Sequence, residues 1–343
     1  MPGRLKLRRG VVVGEEPLTV AVDGELRPAW ADTALLGEMR EGDEVVVNVA
    51  ALDLGLGSGG FDVVHVNLTR GLEGGSASGD EHVMKLNYSP LQHPVEPIEG
   101  CNAFRSDTEQ KTLRPPVLVL PLHGHLAPAA WATMQGSPEI KVGYVQTAGG
   151  ALPGSLSRDV SELRDRDLLC GHVTAAPTYG GEHEAISVAG ALDAVVQELG
   201  WDAVIAGPGP GIIGSDSRLG HGGMAALDSA HASLALGLPT LLSPRLSSAD
   251  PRERHSPVSH HTLTVMQMLL AAVEVPVPAG EPVPIAVLAT AAGWRHRLLE
   301  EAVDLDGYAA SGLPARTMGR GLDEDPLFFA AALAAGAALR RKV

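Results

Sequence analysis

The chain has 343 residues, 45% of them hydrophobic but only 3% aromatic, with 41 glycines, 25 prolines and a formal net charge of −15. That apolar content supports folded cores built mainly from Ala, Val and Leu, and excludes a disordered chain. The acidic balance, with no long basic run to offset it, argues against nucleic-acid binding, because phosphate backbones would be repelled.

The start, MPGRLKLRRGVVVG, is basic but lacks the apolar core of a secretory signal. No stretch offers the roughly 18 consecutive apolar residues of a membrane span. A cytoplasmic chain is therefore expected. Cys101 and Cys170 lie far apart without CxxC spacing. They read as buried or idle thiols of a reducing compartment, not as a disulfide or zinc site.

Residues 1–105 read as a β-rich domain, a small barrel or sandwich. LKLRRGVVV, PLTVAVDGELRPAW, DEVVVNVAAL and FDVVHVNLTR are short Val-rich runs between Gly, Asp and Pro turn signals. VDGEL carries an Asp-Gly hairpin turn. A polar stretch follows, with GLEGGSASGDEH its most flexible part and residues 106–115 as connector. From residue 116 the pattern changes. VLVLPL, KVGYVQT, HVTAAP, DAVIAGP, PTLLSPRL and PIAVLAT are continuous apolar runs with helical stretches between them. Such alternation predicts a mostly parallel, doubly wound sheet with helices on both faces over 116–343. FFAAALAAGAALRRKV reads as a buried terminal helix.

In doubly wound sheets the ligand sits beyond the carboxyl ends of the strands. The unusual segments fall there: PLHGHL, QTAGGALPGSLS, APTYGGEHEA, GPGPGIIGSDSRLGHGG and SSADPRERHSPVSHHT. In GPGPGIIGS, Gly209, Gly211, Gly214 and Ser215 can offer backbone amides to an anion, although a structural turn reads equally well. No lysine completes a P-loop, and the flanking prolines make a weak dinucleotide fingerprint. Ser155 or Ser157 is expected to cap a helix beginning near Arg158. Glu182, His183 and Glu184 are placed at a helix start, where the dipole favours acids.

His123 and His125, alternating on an extended segment, are expected to point the same way and could reach one site. Such a pair is more often hydrogen-bonded structure than metal ligands, so a divalent metal is not favoured. If one is present, its ligands would come from His123, His260, His261 and Asp250. Asp250-Pro251 begins a turn, and the alternating Arg252 and Arg254 can clamp a carboxylate or phosphate. Ser259 is expected to cap a helix whose first turn holds His260 and His261, kept neutral by the dipole. His221, Asp228 and His231 are weaker candidates, the last two as an ordinary i, i+3 pair. No GxSxG serine supports an α/β-hydrolase.

In this order, LPLHGHLAP, YVQTAGGALPGSLS, YGGEHEAI, AGPGPGIIGS and ADPRERHSPVSHHTLT resemble the bacterial family called domain of unknown function 3866, across nearly the whole chain. The resemblance implies a single conserved unit but supplies no reaction. Against the family pattern this chain carries Ala148 in place of an acidic residue and Gly124 in place of serine. Glu182-His183 stands in place of Asp and an apolar residue. His123, Glu184, Asp250, Arg252, Arg254, His255, His260 and His261 fit the pattern.

The functional expectation is an enzyme acting on a small phosphorylated or carboxylated metabolite by hydrolysis or group transfer. Arg252 and Arg254 would bind the anion. His255, His260 or His261 would act as acid or base, oriented by Asp250 or Glu184; His123 and Glu184 complete the catalytic candidates. The alternatives are a non-catalytic ligand sensor, or loops that hold a homo-oligomer together.

Overall fold

The computed structural model describes residues 4–55, 59–72, 74–75, 81, 83–100 and 114–343. Cys101, most of the GLEGGSASGDEH loop and most of the 106–115 connector lie outside the described residues. The chain packs into two compact units, Met1–Glu81 and His82–Val343.

The first unit is a closed five-stranded barrel of β1 (Leu7–Glu15), β2 (Leu18–Val22), β3 (Glu25–Trp30), β4 (Glu44–Asn48) and β5 (Asp62–Asn67), in the order β1-β2-β3-β5-β4. Short helices α1 (Thr33–Leu36) and α2 (Ala50–Asp53) join its strands. The expected Asp-Gly turn joins β2 to β3, with both Asp23 and Gly24 at positive φ. The parallel pair Ala29↔Asp62 and Trp30↔Val63 closes the barrel. Alternating Val12, Val20, Val22, Val45, Val47 and Val64 fill it, as half-buried strands require. Arg70 grips the buried Asp43 at 2.6 Å.

The second unit begins with a hairpin, β6 (Val83–Lys85) and β7 (His93–Val95). The sequence reading grouped this stretch with the N-terminal domain. The chain then builds an eight-stranded sheet in the order β11-β10-β9-β12-β8-β13-β14-β15, with every neighbouring pair parallel. Its strands are β8 (Val117–Val119), β9 (Val142–Thr147), β10 (His172–Ala175), β11 (His183–Ala185), β12 (Ala203–Pro208), β13 (Thr240–Leu242), β14 (Glu274–Pro278) and β15 (Arg297–Glu301).

The central strands β8 and β12 are apolar along their length because both faces are covered. Val117, Val119, Val204 and Ala206 face one core, shared with α5 (Val188–Ala194), α6 (Ala225–Ala235), α7 (His260–Met268) and α8 (Pro282–Ala292). Leu118, Leu120, Ala203 and Ile205 face the other, shared with α3 (Leu126–Met134), α4 (Arg158–Asp165), α9 (Leu305–Ala310) and α10 (Pro326–Arg340). The terminal helix α10 is buried over most of its length, as its run of alanines and phenylalanines predicts. A small hairpin, β16 (Arg316–Thr317) and β17 (Arg320–Gly321), precedes it. Among the described residues no helix is long and apolar enough to cross a membrane.

Two local expectations are corrected. PIAVLAT is helix, not strand: it lies in α8, which buries Pro284, Leu288 and Ala292 at helical spacing. A short apolar run fits a buried strand and a helix equally well, and the starting prolines suit a helix N-terminus. GGEHEA does not start a helix; His183–Ala185 forms the edge strand β11, and α5 starts three residues beyond it at Val188, capped by Ser187. An edge strand is half solvated, so it tolerates the polar residues that suggested a dipole. EVPVP, whose Pro276 and Pro278 lack amide protons, stands outside the runs expected as strands. It nevertheless forms β14, whose bonding to β13 is confined to the Leu241↔Glu274 register.

Candidate functional site

The chain leaves β8 toward one edge, through β9, β10 and β11. It then returns through β12 and winds toward the other edge. Strands with oppositely directed connections meet in the middle of the sheet, the arrangement that opens a crevice at the carboxyl ends. The loops there interlock backbone to backbone. A Cβ on Gly149, which has φ +109, would lie 2.3 Å from the Gly222 carbonyl oxygen. One on Gly150 would lie 2.1 Å from that of Gly209. Glycine is needed because no side chain fits.

The glycine loop after β12 therefore acts mainly as scaffold. Gly209 packs on Ala151, and Pro210 accepts the Ala151 amide proton at 2.7 Å. Gly211 takes a left-handed turn. Gly214 bridges to His221, while the Ser215 amide donates to Gly220 at 2.7 Å, closing a turn. That turn delivers His221 to the histidines of the PRERHSPVSHHT segment.

Four imidazoles gather there. Ser259 caps α7, as the sequence predicts. Its Oγ accepts the His261 amide at 3.2 Å and stands 2.7 Å from His255 Nδ1. The cap fixes His260 and His261 at the first turn and orients His255. His221 and His261 stack with ring centres 3.6 Å apart. His260 lies 4.4 Å from His261, and His255 stands 5.1 Å and 4.9 Å from His260 and His261. His221 donates from Nε2 to the Arg218 carbonyl at 3.0 Å, so its Nδ1 carries a lone pair. One ring nitrogen from each of His221, His260 and His261 lies within 4.8 Å of the other two. His221 Nδ1, His260 Nε2 and His261 Nδ1 are buried without a hydrogen-bond partner among the described residues.

Every ring of the cluster is held neutral. Burial and the neighbouring cations lower His255 to about 3 and His261 to about 2, and they lower His221 and His260 as well. The expected neutrality is there, but burial rather than the helix dipole is its main cause.

The arginines form a second cluster beside the rings. Asp250 is fully buried and ligated by Arg252, at 2.9 Å and 2.8 Å, and by Arg245, at 3.2 Å. Arg320, delivered by the β16–β17 hairpin, reaches Asp250 at 3.5 Å and Asp325 at 3.1 Å. These cations hold Asp250 far below the usual carboxylate range. Arg254 points elsewhere, to the exposed Asp216 at 2.8 Å. The Nε–H groups of Arg245 and Arg254 are buried and unpaired among the described residues.

The expected site is thus regrouped. His255, His260 and His261 come together, with Arg245 and Arg254 close enough to depress their basicity. Arg252 and Arg254 do not share one target, and the saturated Asp250 carboxylate anchors the loop. His123 lies apart. Its Nδ1 donates to Pro208 at 3.2 Å and its Nε2 accepts from Ser157 at 2.7 Å, while Ser157 also caps α4 through the Val160 amide. His123 and His125 sit in a 3₁₀ turn, not an extended segment, and His125 turns away to Ser243 at 2.9 Å. Glu184 pairs with the buried Lys85 at 2.5 Å and with Thr174 at 2.8 Å. His231 accepts from the Leu270 amide.

Sequence reasoning missed Arg245 and Arg320 and underweighted His221. Arg245 sits inside the apparent strand PTLLSPRL, and Arg320 lies about 70 residues from Asp250. One signal was available: an arginine within an apolar run needs a buried acid nearby.

Fold and site together define an α/β protein, preceded by a β-barrel, that gathers histidines and arginines beyond the carboxyl ends of a parallel sheet. The chain belongs to the family described as protein of unknown function (DUF3866), whose model matches residues 28–336. No curated protein and no solved structure matches it.

Proposed function

We propose that the protein is a cytoplasmic enzyme that acts on a small phosphorylated or carboxylated metabolite, by hydrolysis or group transfer, at the histidine–arginine cluster. One observation carries this reading: among the described residues, buried arginine N–H groups and buried imidazole nitrogens both lack partners, and the arginine charges act directly on those imidazoles. A buried polar group left unpaired costs about 1–3 kcal/mol, so a fold that keeps several of opposite character together is built for an occupant. An anionic substrate satisfies the Arg245 and Arg254 donors. His255, oriented by Ser259 rather than by Asp250 or Glu184, is placed to move a proton at the bound group. The net charge of −15 supports a small ligand over a nucleic acid. The free Cys170 supports a reducing compartment.

The test is a thermal-shift and turnover screen of phosphomonoesters, phosphoanhydrides and carboxylate esters, with wild type, Arg254→Gln and His255→Gln. The expected outcome is stabilisation by anions that Arg254→Gln weakens, and turnover that His255→Gln lowers by about 100-fold or more. Anion binding without turnover across the screen would favour a sensor. A change of mass in solution in the variants, with no anion binding, would assign the loops to a subunit interface.

A further inference from the structure

We propose that His221 Nδ1, His260 Nε2 and His261 Nδ1 hold one divalent transition-metal ion of the zinc class, leaving an open position for an anion or water. This metal site stands independently of whether the protein is an enzyme.

The geometry comes first. One ring nitrogen from each of the three histidines lies within 4.8 Å of the other two. Tetrahedral ligands at about 2.0–2.1 Å from zinc stand about 3.4 Å apart, so modest ring rotations close the site. His221 Nδ1, His260 Nε2 and His261 Nδ1 have no hydrogen-bond partner among the described residues. A single water could donate to only two lone pairs, whereas a metal ion accepts all three. The tautomer of His221 is set outside the cluster, because its Nε2 proton goes to the Arg218 carbonyl. Metal-bound histidines are held in this way by their second nitrogen.

The backbone leaves room at the same point. Gly223 follows His221 by two residues. A Cβ there would lie 3.0 Å from His221 Nδ1 and 3.2 Å from His261 Nδ1. The segment HGGM thus keeps side-chain atoms away from the place where the two lone pairs converge.

The donor set selects the metal class. Three neutral imidazoles suit Zn²⁺, Co²⁺, Ni²⁺ or Cu²⁺, whereas Mg²⁺ and Ca²⁺ prefer oxygen ligands. The nearby guanidiniums of Arg245 and Arg254 oppose a dication, although each has an acidic partner, Asp250 and Asp216. An anion in the open position removes that opposition by its own charge. Metal and anion should therefore bind with positive coupling, each tightening the other.

The experiment uses full-length protein without a histidine tag, stripped of metal with a chelator and titrated with Co²⁺ and Zn²⁺, with and without inorganic phosphate. The expected result is one Co²⁺ per chain, with the visible absorption of a four- or five-coordinate nitrogen site, displaced by Zn²⁺ and tightened by phosphate. His221→Gln, His260→Gln and His261→Gln should each weaken binding about 100-fold or more, and Gly223→Ala should weaken it in part. His183→Gln, on the exposed edge of β11, should not. Circular dichroism confirms that each variant is folded. The proposal is overturned if folded wild type binds no Co²⁺ or Zn²⁺, or if the three histidine variants bind as wild type does. Phosphate binding to metal-free protein that the same variants abolish would instead identify these nitrogens as N–H donors, and would also overturn it. A confirmed metal site with an empty turnover screen would sink the enzyme reading alone.

Discussion

Ser259 shows how much of the site depends on one small side chain. Its Oγ both caps α7 and stands 2.7 Å from His255 Nδ1. Losing a serine cap costs about 1 kcal/mol, and an unpaired buried imidazole nitrogen adds a comparable amount. Ser259→Ala should therefore lower stability by about 2 kcal/mol in urea denaturation. Ser259→Thr, which keeps the hydroxyl, should recover most of the loss. A loss below about 0.5 kcal/mol for the alanine would show that the cap does not hold the rings. This role was legible, since serine before an apolar helical run is an N-cap signal. The stacking of His221 on His261 was not. It joins residues 40 positions apart, and no local pattern encodes that contact.

At the scale of elements, the pairing of α3 with α10 sets the cover of one sheet face. The helices approach so closely that a Cβ on Gly336 would lie 2.2 Å from the Ala129 carbonyl oxygen and 2.9 Å from Ala132 Cβ. Two effects compete in Gly336→Ala. Alanine gains about 1 kcal/mol of helix propensity. Overpacking against a backbone that cannot yield costs about 1–3 kcal/mol or more. The contact with a backbone atom decides the sign, so net destabilisation of about 1–2 kcal/mol is expected, and Gly336→Val should cost more. A rise in the urea midpoint for Gly336→Ala would show that the helices separate freely. From sequence alone this glycine reads as a helix weakness; its reason is a partner about 200 residues away.

Over the whole molecule, two kinds of buried ionisable group, paired carboxylates and neutral histidines, should make acid act in two ranges. In the barrel, hydrogen bonding to Arg70 lowers Asp43 to about 2 from the usual value near 4. That contribution is present above about pH 4 and is lost as pH falls toward 2. In the α/β unit, burial lowers His125 and His172 to about 3. Their neutral forms fit the fold, so the unfolded chain takes up protons first. Stability is full above about pH 6.5 and falls below it, by about 1.4 kcal/mol per pH unit for each histidine, until about pH 3. Urea midpoints followed against pH should show a leg beginning near 6.5, which His125→Gln makes shallower, and a leg below 4, to which the buried Asp250 of the α/β unit also contributes and which Asp43→Asn makes shallower. A single leg, untouched by either substitution, would contradict this assignment.

Legible in the sequence alone were the two classes of unit, most of the parallel strands, the cap at Ser259, a cap at Ser155 or Ser157, and the stretch in which His255, His260 and His261 meet. These depend on apolar periodicity, turn chemistry and capping, which act within a few residues. Tertiary structure decided the order of the eight strands, the edge placement of β11 and the helical state of α8. It also decided the separation of His123 and Glu184 from the imidazoles, the capture of Asp250 by arginines, and the entry of His221, Arg245 and Arg320. Those outcomes depend on which strand ends become neighbours in space, and winding order, not local sequence, sets that. A buried charge or an unpartnered nitrogen has meaning only once its surroundings are fixed. The sequence could therefore name the groups and the end of the sheet where they lie, and only the fold could say which of them face one another.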